Sequence, residues 1–225
     1  MTGIKPIAIV CGHYGCGKTN FTLNLALALR AEGERVCVID LDIVNPYFRS
    51  SDYNELLEHR GIELIAPNMA RTTLDTPSLP ASVDAAFETP RGYVLVDAGG
   101  DDAGATALGR YAAEIRAQAY EMLYVINQNR AMVAEPAGAL EILREIEAAS
   151  HLKATGLVNN THLAEQTNAQ TVQHGAAYAQ AVSDFCGLPV TFTCVPTALR
   201  DACGDLPGAF PVEVLVQKPW EQNSL

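Results

Sequence analysis

The sequence predicts an α/β fold, a doubly wound and mainly parallel sheet. Short apolar runs alternate with helical stretches from end to end, and a glycine-rich loop joins the first run to the first helix. The runs are continuous rather than alternating, as expected of strands buried on both faces. The 225 residues suit one large α/β domain over 1–225, since no repeat, low-complexity tract or linker divides them.

The first strand is expected over residues 5–11 and the first helix over 19–30. In that helix Phe21, Leu25 and Ala28 recur at i, i+4 and i+7, and Leu23, Leu27 and Leu29 widen the apolar face. Gly33 is placed to stop it, and a Val- and Ile-rich strand follows over 35–40. Further strands are expected over 62–66, 93–97, 121–127, 155–159 and 190–195, with helices over 103–118, 136–149 and 166–185. Residues 67–91 break the rhythm: Pro67, Pro77, Pro80 and Pro90 surround a short helical stretch over 81–87. Long irregular connections often carry function, although an exposed insertion is an equal reading.

Composition narrows the function. With 48% hydrophobic and 18% charged residues the chain can build a sizeable core, so disorder is excluded as its default state. The 26 acidic against 15 basic residues give a net charge of −11, which opposes binding to nucleic acid through phosphate neutralisation. No run approaches the roughly 20 apolar residues of a membrane helix, and residues 7–11 are too short for a secretory segment. Six scattered cysteines suit a reducing compartment, so a cytoplasmic protein is expected.

The strongest motif is Gly12-His13-Tyr14-Gly15-Cys16-Gly17-Lys18-Thr19, a complete G-x-x-x-x-G-K-[ST] lying between a strand and a helix. The glycines let successive backbone N–H groups turn inward around a polyphosphate, and the helix N-terminus adds partial positive charge. Lys18 is suited to reach the β- and γ-phosphates, and the Thr19 hydroxyl to hold one position on Mg²⁺. Asp40 and Asp42 follow the second strand and Asp97 ends the strand over 93–97, at the sheet edge where nucleotides bind in such folds. Asp97-Ala98-Gly99-Gly100 forms a D-x-x-G whose Gly100 N–H is placed for a γ-phosphate. Three carboxylates in register with the loop point to Mg²⁺ and water handling.

Residues 12–19, Asn24-Leu25-Ala26 and Val38-Ile39-Asp40-Leu41-Asp42 together resemble the MinD/ParA/CobQ branch of P-loop ATPases, and Asp97 to Gly100 matches that branch's switch II. The resemblance runs to about residue 160. It implies that Asp42 positions the attacking water, that Asp97 supports Mg²⁺ and that Asn159 hydrogen-bonds adenine. Asn159 as a turn cap is the equal alternative. The branch carries a further lysine after the first loop glycine, reaching across a dimer to the partner's nucleotide. His13 stands there instead, so a homodimer of that kind requires a protonated imidazole; the alternatives are a polar loop residue and a homodimer of a different kind.

Other constellations carry less. Cys11, His13 and Cys16 form a C-x-H-x-x-C, but a loop wrapped around phosphate directs those side chains apart. No C-x-x-C occurs to support an iron–sulfur cluster. Cys16, beside a helix N-terminus, is expected to have a lowered pKa and to sense redox state. The N-K-x-D guanine motif is absent, since Asn159-Asn160-Thr161-His162 lacks both Lys and Asp, so adenine is expected. The tail over 211–225 is neither basic nor a long amphipathic helix, so no membrane docking is expected. Asn45-Pro46-Tyr47-Phe48-Arg49 follows Asp42 and Asp101-Asp102 follows the D-x-x-G, the two places that sense a γ-phosphate in switch proteins. Arg49, Arg71 and Arg110 are cations for an acidic substrate, a phosphate or a partner, with a solvated surface role as the alternative for each alone. Tyr47, Phe48, Arg49 and Arg71 form a group to test. The expected function is a Mg²⁺-dependent ATP-binding switch with slow hydrolysis, acting on a protein partner. The alternative is a ligase or kinase that activates a small carboxylate, with its second pocket in residues 67–91.

Overall fold

Parallel pairing joins eight strands: β1 (Ile7–Cys11), β2 (Val36–Asp40), β3 (Glu63–Ile65), β4 (Tyr93–Asp97), β5 (Tyr120–Ile126), β6 (Gly156–Asn159), β7 (Val190–Pro196) and β8 (Ala209–Val212). Their order across the sheet is β3-β2-β4-β1-β5-β6-β7-β8. The computed structural model describes residues 3–41, 53–66, 81–88, 90–99, 102–162 and 166–216. Helices α1 (Lys18–Ala31), α2 (Asn54–His59), α3 (Ala81–Glu88), α4 (Asp102–Gly109), α5 (Ala112–Arg116), α6 (Pro136–Ser150), α7 (Ala169–Cys186) and α8 (Arg200–Cys203) lie between the strands.

β1 is buried at all five positions and is flanked by β4 and β5, which accounts for its unbroken apolar run. Strand order reverses at β1, and such a reversal opens a crevice beyond the C-terminal strand ends. Register places Val10 beside Asp97 and Cys11 beside Tyr124 at that edge. Local signals set the helix ends. Gly33, at φ 89°, follows α1 and donates its N–H to the Arg30 carbonyl at 3.0 Å. Pro136 opens α6, and the Asn168 side chain caps α7 by accepting from the Thr171 N–H at 3.0 Å.

Two features depart from the sequence reading. The single helix expected over 103–118 is broken into α4 and α5. A Cβ on Gly109 would come within 2.7 Å of the Ala149 carbonyl, so only glycine permits this approach to α6. The break turns Tyr111 inward, where its ring lies 5.3 Å from that of Phe87. β8 has no expected counterpart, because Pro211 makes Ala209–Val212 read poorly as a strand. It lies at the sheet edge, where proline is tolerated. Its Phe210 stacks 5.7 Å from Phe21 of α1 and 5.5 Å from Phe192 of β7, tying the edge to the first helix.

Candidate functional site

The loop over residues 12–17 leaves β1 at the strand-order reversal and leads directly into α1. Gly12, Gly15 and Gly17 have φ of 147°, 75° and 89°, a region L side chains rarely adopt. A Cβ on Gly12 would lie 2.5 Å from the Val125 carbonyl of β5, so close approach also demands glycine there. The Cys16 N–H closes a turn onto the His13 carbonyl at 3.2 Å. Lys18 Nζ approaches the same carbonyl at 3.5 Å.

The start of α1 lacks the usual neutralising groups. Its N-cap Gly17 offers no side-chain hydrogen bond, and no acidic residue stands in the first turn. First-turn N–H groups have no acceptor within the helix, and the helix dipole places positive charge there. Lys18, Thr19 and Asn20 are nonetheless buried. An uncapped, cationic, glycine-cradled helix start suits a polyphosphate anion.

Asp97 and Thr19 meet at this edge. The Thr19 hydroxyl donates to Asp97 Oδ2 at 2.8 Å, and both residues are buried. Asp97 lies in register with Asp40 at the end of β2. Among the described residues no group of three or more His, Cys, Asp or Glu side chains forms a metal site. A hydroxyl and a carboxylate beside a phosphate cradle are the oxygen ligands that suit Mg²⁺, which completes its shell with phosphate oxygens and water. Asp42, Gly100, Tyr47, Phe48, Arg49 and Arg71 lie outside the described residues.

Asn159 is engaged locally. Its Oδ1 accepts the Thr161 N–H at 3.1 Å, a contact of the turn-cap kind. The next residue reaches the loop. Asn160 Nδ2 donates to the Cys16 carbonyl at 2.7 Å, and its buried Oδ1 has no hydrogen-bond partner. Arg130, in the turn after β5, donates from Nε to the Gly15 carbonyl at 2.7 Å. Neither Asn160 nor Arg130 stood out in the sequence. The Asn159-Asn160 pair at a strand end was the available signal, but only the β6 register distinguishes which side chain turns to the loop.

Electrostatics overturns the reading of Cys16. Its thiol is fully buried and is pushed up to about 11 by desolvation, which outweighs Lys18 and Arg130. It is therefore a protonated packing group rather than a reactive thiolate. Burial and Lys18 hold His13 below its ordinary 6.5, opposing the imidazolium that a dimer contact through His13 requires. Burial likewise lowers His162, with Arg130 adding to the effect. Tyr14 projects outward from the loop, 54% exposed. Cys11 donates to the Leu123 carbonyl at 3.6 Å instead of joining a metal cluster.

Two further features adjoin this framework. Residues 213–216 cross α1 just behind the loop: Asn20 and Asn24 donate to the Glu213 carbonyl at 3.0 and 2.9 Å. A cavity of about 280 Å³ lies between α3 and the sheet, lined by Arg35, Cys37, Glu63 and Arg91 among others. Arg35 and Arg91 precede β2 and β4, so its mouth lies toward the N-terminal strand ends, opposite the loop.

The family described as CobQ/CobB/MinD/ParA nucleotide binding domain matches residues 7–190. The chain is 49% identical over 45 residues to an iron–sulfur cluster carrier protein of Haemophilus influenzae, a match covering 20% of this chain and 12% of that protein. A carrier of the same description from Escherichia coli is 47% identical over 47 residues, covering 20% and 13%. Among solved structures, FtsY of Mycoplasma mycoides superposes with a TM-score of 0.58 at 17% identity, covering 85% of this chain and 60% of that one. The signal recognition particle 54 kDa protein of Aeropyrum pernix, in complex with GDP, gives 0.56 at 18%, covering 85% and 42%. These structural likenesses concern the fold.

Proposed function

The chain belongs to the CobQ/CobB/MinD/ParA nucleotide-binding family, and on that premise we propose that it is a Mg²⁺-dependent ATP-binding protein with slow hydrolysis, switching a protein partner. The observation that carries this reading is the uncapped start of α1 behind a glycine cradle, with Lys18 and Thr19 buried in its first turn. In this proposal the N–H groups of residues 12–19 hold the phosphates, and Lys18 supplies the point charge that their β and γ groups require. Thr19 and Asp97 hold Mg²⁺, directly or through water, and Asp42 orients the attacking water while Gly100 senses the γ-phosphate. Bound Mg²⁺ supplies neutralisation of the charge that develops on the phosphates. The residues themselves position and desolvate.

Asn160, rather than Asn159, is proposed to read the base. Its Nδ2 is committed to the Cys16 carbonyl, which leaves the buried Oδ1 as an unsatisfied acceptor. An adenine amino group donates to such an atom, whereas the guanine carbonyl oxygen repels it. No separate substrate motif can be read in the sequence, which favours the switch over the ligase or kinase alternative. Of the stretch over 67–91 expected to hold a second pocket, residues 67–80 and 89 lie outside the described residues.

Calorimetry with ATP and Mg²⁺ tests the reading. The wild type is expected to bind and Lys18→Ala to lose binding, because the loop then has no lysine facing the phosphates. Equal affinity in the two proteins would remove the phosphate-loop assignment. A competition titration won clearly by GTP would reverse the base assignment.

A further inference from the structure

We propose that Arg130 covers the nucleobase, stacking its guanidinium on the purine that Asn160 reads; the proposal rests on the nucleotide-binding assignment above. The turn after β5 holds Arg130 tightly. The Asn129 N–H donates to Asn127 Oδ1 at 3.0 Å and the Arg130 N–H to the Asn127 carbonyl at 3.0 Å. The Val133 N–H in turn donates to the Arg130 carbonyl at 3.0 Å. With the backbone fixed at both its polar groups, the side chain reaches across to the loop and donates from Nε to the Gly15 carbonyl at 2.7 Å. The guanidinium lies against Gly15 itself: a Cβ there would stand 3.3 Å from Nε and 3.4 Å from Cζ.

The side of the loop on which Arg130 sits decides its role. Two successive carbonyls, of Gly15 and Cys16, are held from outside by Arg130 and Asn160. A loop that turns its N–H groups toward phosphate presents its carbonyls to the opposite flank. Arg130 therefore shares a flank of the loop with Asn160 and its unsatisfied Oδ1, and its charge is felt at His162 and Cys16. Among the described residues no carboxylate pairs with Arg130, and only Nε of its side chain is hydrogen-bonded. The side chain is otherwise exposed. A planar cation held at one nitrogen beside a free buried acceptor matches a flat aromatic base bearing an amino donor. Lysine would keep the charge and lose the plane.

The experiment compares ATP with inorganic tripolyphosphate, which has phosphates and no base, by calorimetry with Mg²⁺ on the wild type, Arg130→Ala and Arg130→Lys. In the wild type ATP is expected to bind more tightly than tripolyphosphate. Arg130→Ala should weaken ATP about tenfold or more, the scale of losing a base-stacking contact, and leave tripolyphosphate within about twofold. Arg130→Lys should resemble Arg130→Ala. Equal losses for both ligands would overturn the proposal, since a phosphate cation or a brace of the loop affects both alike. Full ATP affinity in Arg130→Ala, or full recovery in Arg130→Lys, would also overturn it. A wild type that binds neither ligand removes the nucleotide assignment itself, and this role with it.

Discussion

Asn160 ties the end of β6 to both the loop and β5. Its amide nitrogen satisfies the Cys16 carbonyl, and the backbone N–H of the same residue donates to the Ile126 carbonyl at 2.8 Å. Gly17 packs against the amide so closely that a Cβ would collide with it. In Asn160→Ala the Cys16 carbonyl loses its side-chain donor, at an expected cost of about 1–3 kcal/mol. A urea titration should show that loss, and a competition titration should show a reduced preference for ATP over GTP. An unchanged preference with reduced stability would leave Asn160 as a brace of the loop alone. Cys16 illustrates the opposite lesson: nearness to a helix N-terminus does not lower a thiol pKa where burial dominates.

At the scale of elements, α1 joins the glycine-rich loop to the segment after β8. Its apolar side buries Phe21, Leu25 and Leu29. Asn20 and Asn24, one turn apart, clamp the segment after β8. Asn24 Oδ1 accepts the Glu213 N–H at 2.8 Å, and Asn20 Oδ1 accepts the Leu215 N–H at 2.9 Å. The Asn24 amide also donates to the Asn20 carbonyl at 2.8 Å. The Asn24-Leu25-Ala26 motif thus has a physical basis, since only a side chain with both a donor and an acceptor completes this clamp. Asn24→Ala should destabilise the fold by about 1–3 kcal/mol, the cost of orphaning the Glu213 N–H, since Asn20 still donates to the Glu213 carbonyl. The urea midpoint should fall with an unchanged slope. No change would mean that residues 213–216 are held by β8 and its neighbours without the clamp.

For the whole molecule, proton linkage sets a pH limit. Burial lowers the pKa of both His13 and His162 below the ordinary 6.5. As pH falls, the unfolded chain takes up these protons before the folded one does, so stability rises with pH across this range. The contribution is fully present above 6.5 and is lost as pH falls through the folded-state values. Urea midpoints should therefore be lower at about pH 5.5 than at pH 8, with a smaller difference in His162→Gln. A wild-type midpoint independent of pH over that interval would contradict the assigned burial of these imidazoles.

The sequence by itself determined the phosphate loop and the parallel sheet. The loop is contiguous, so its glycines, Lys18 and Thr19 needed no distant partner to be recognised, and unbroken apolar runs such as Ile7–Cys11 declare burial on both faces. The tertiary structure decided what surrounds the loop. Asn160 and Arg130 reach it across 144 and 115 residues, and the clamp by Asn20 and Asn24 spans 189 residues or more. No local periodicity encodes such contacts. They arise because parallel pairing brings the C-terminal ends of β1, β5 and β6 to one edge, and register then selects which side chain of each turn faces the loop. The same pairing admits Pro211 to an edge strand, and the packing of Gly109 on α6 divides a helix that periodicity alone would have continued.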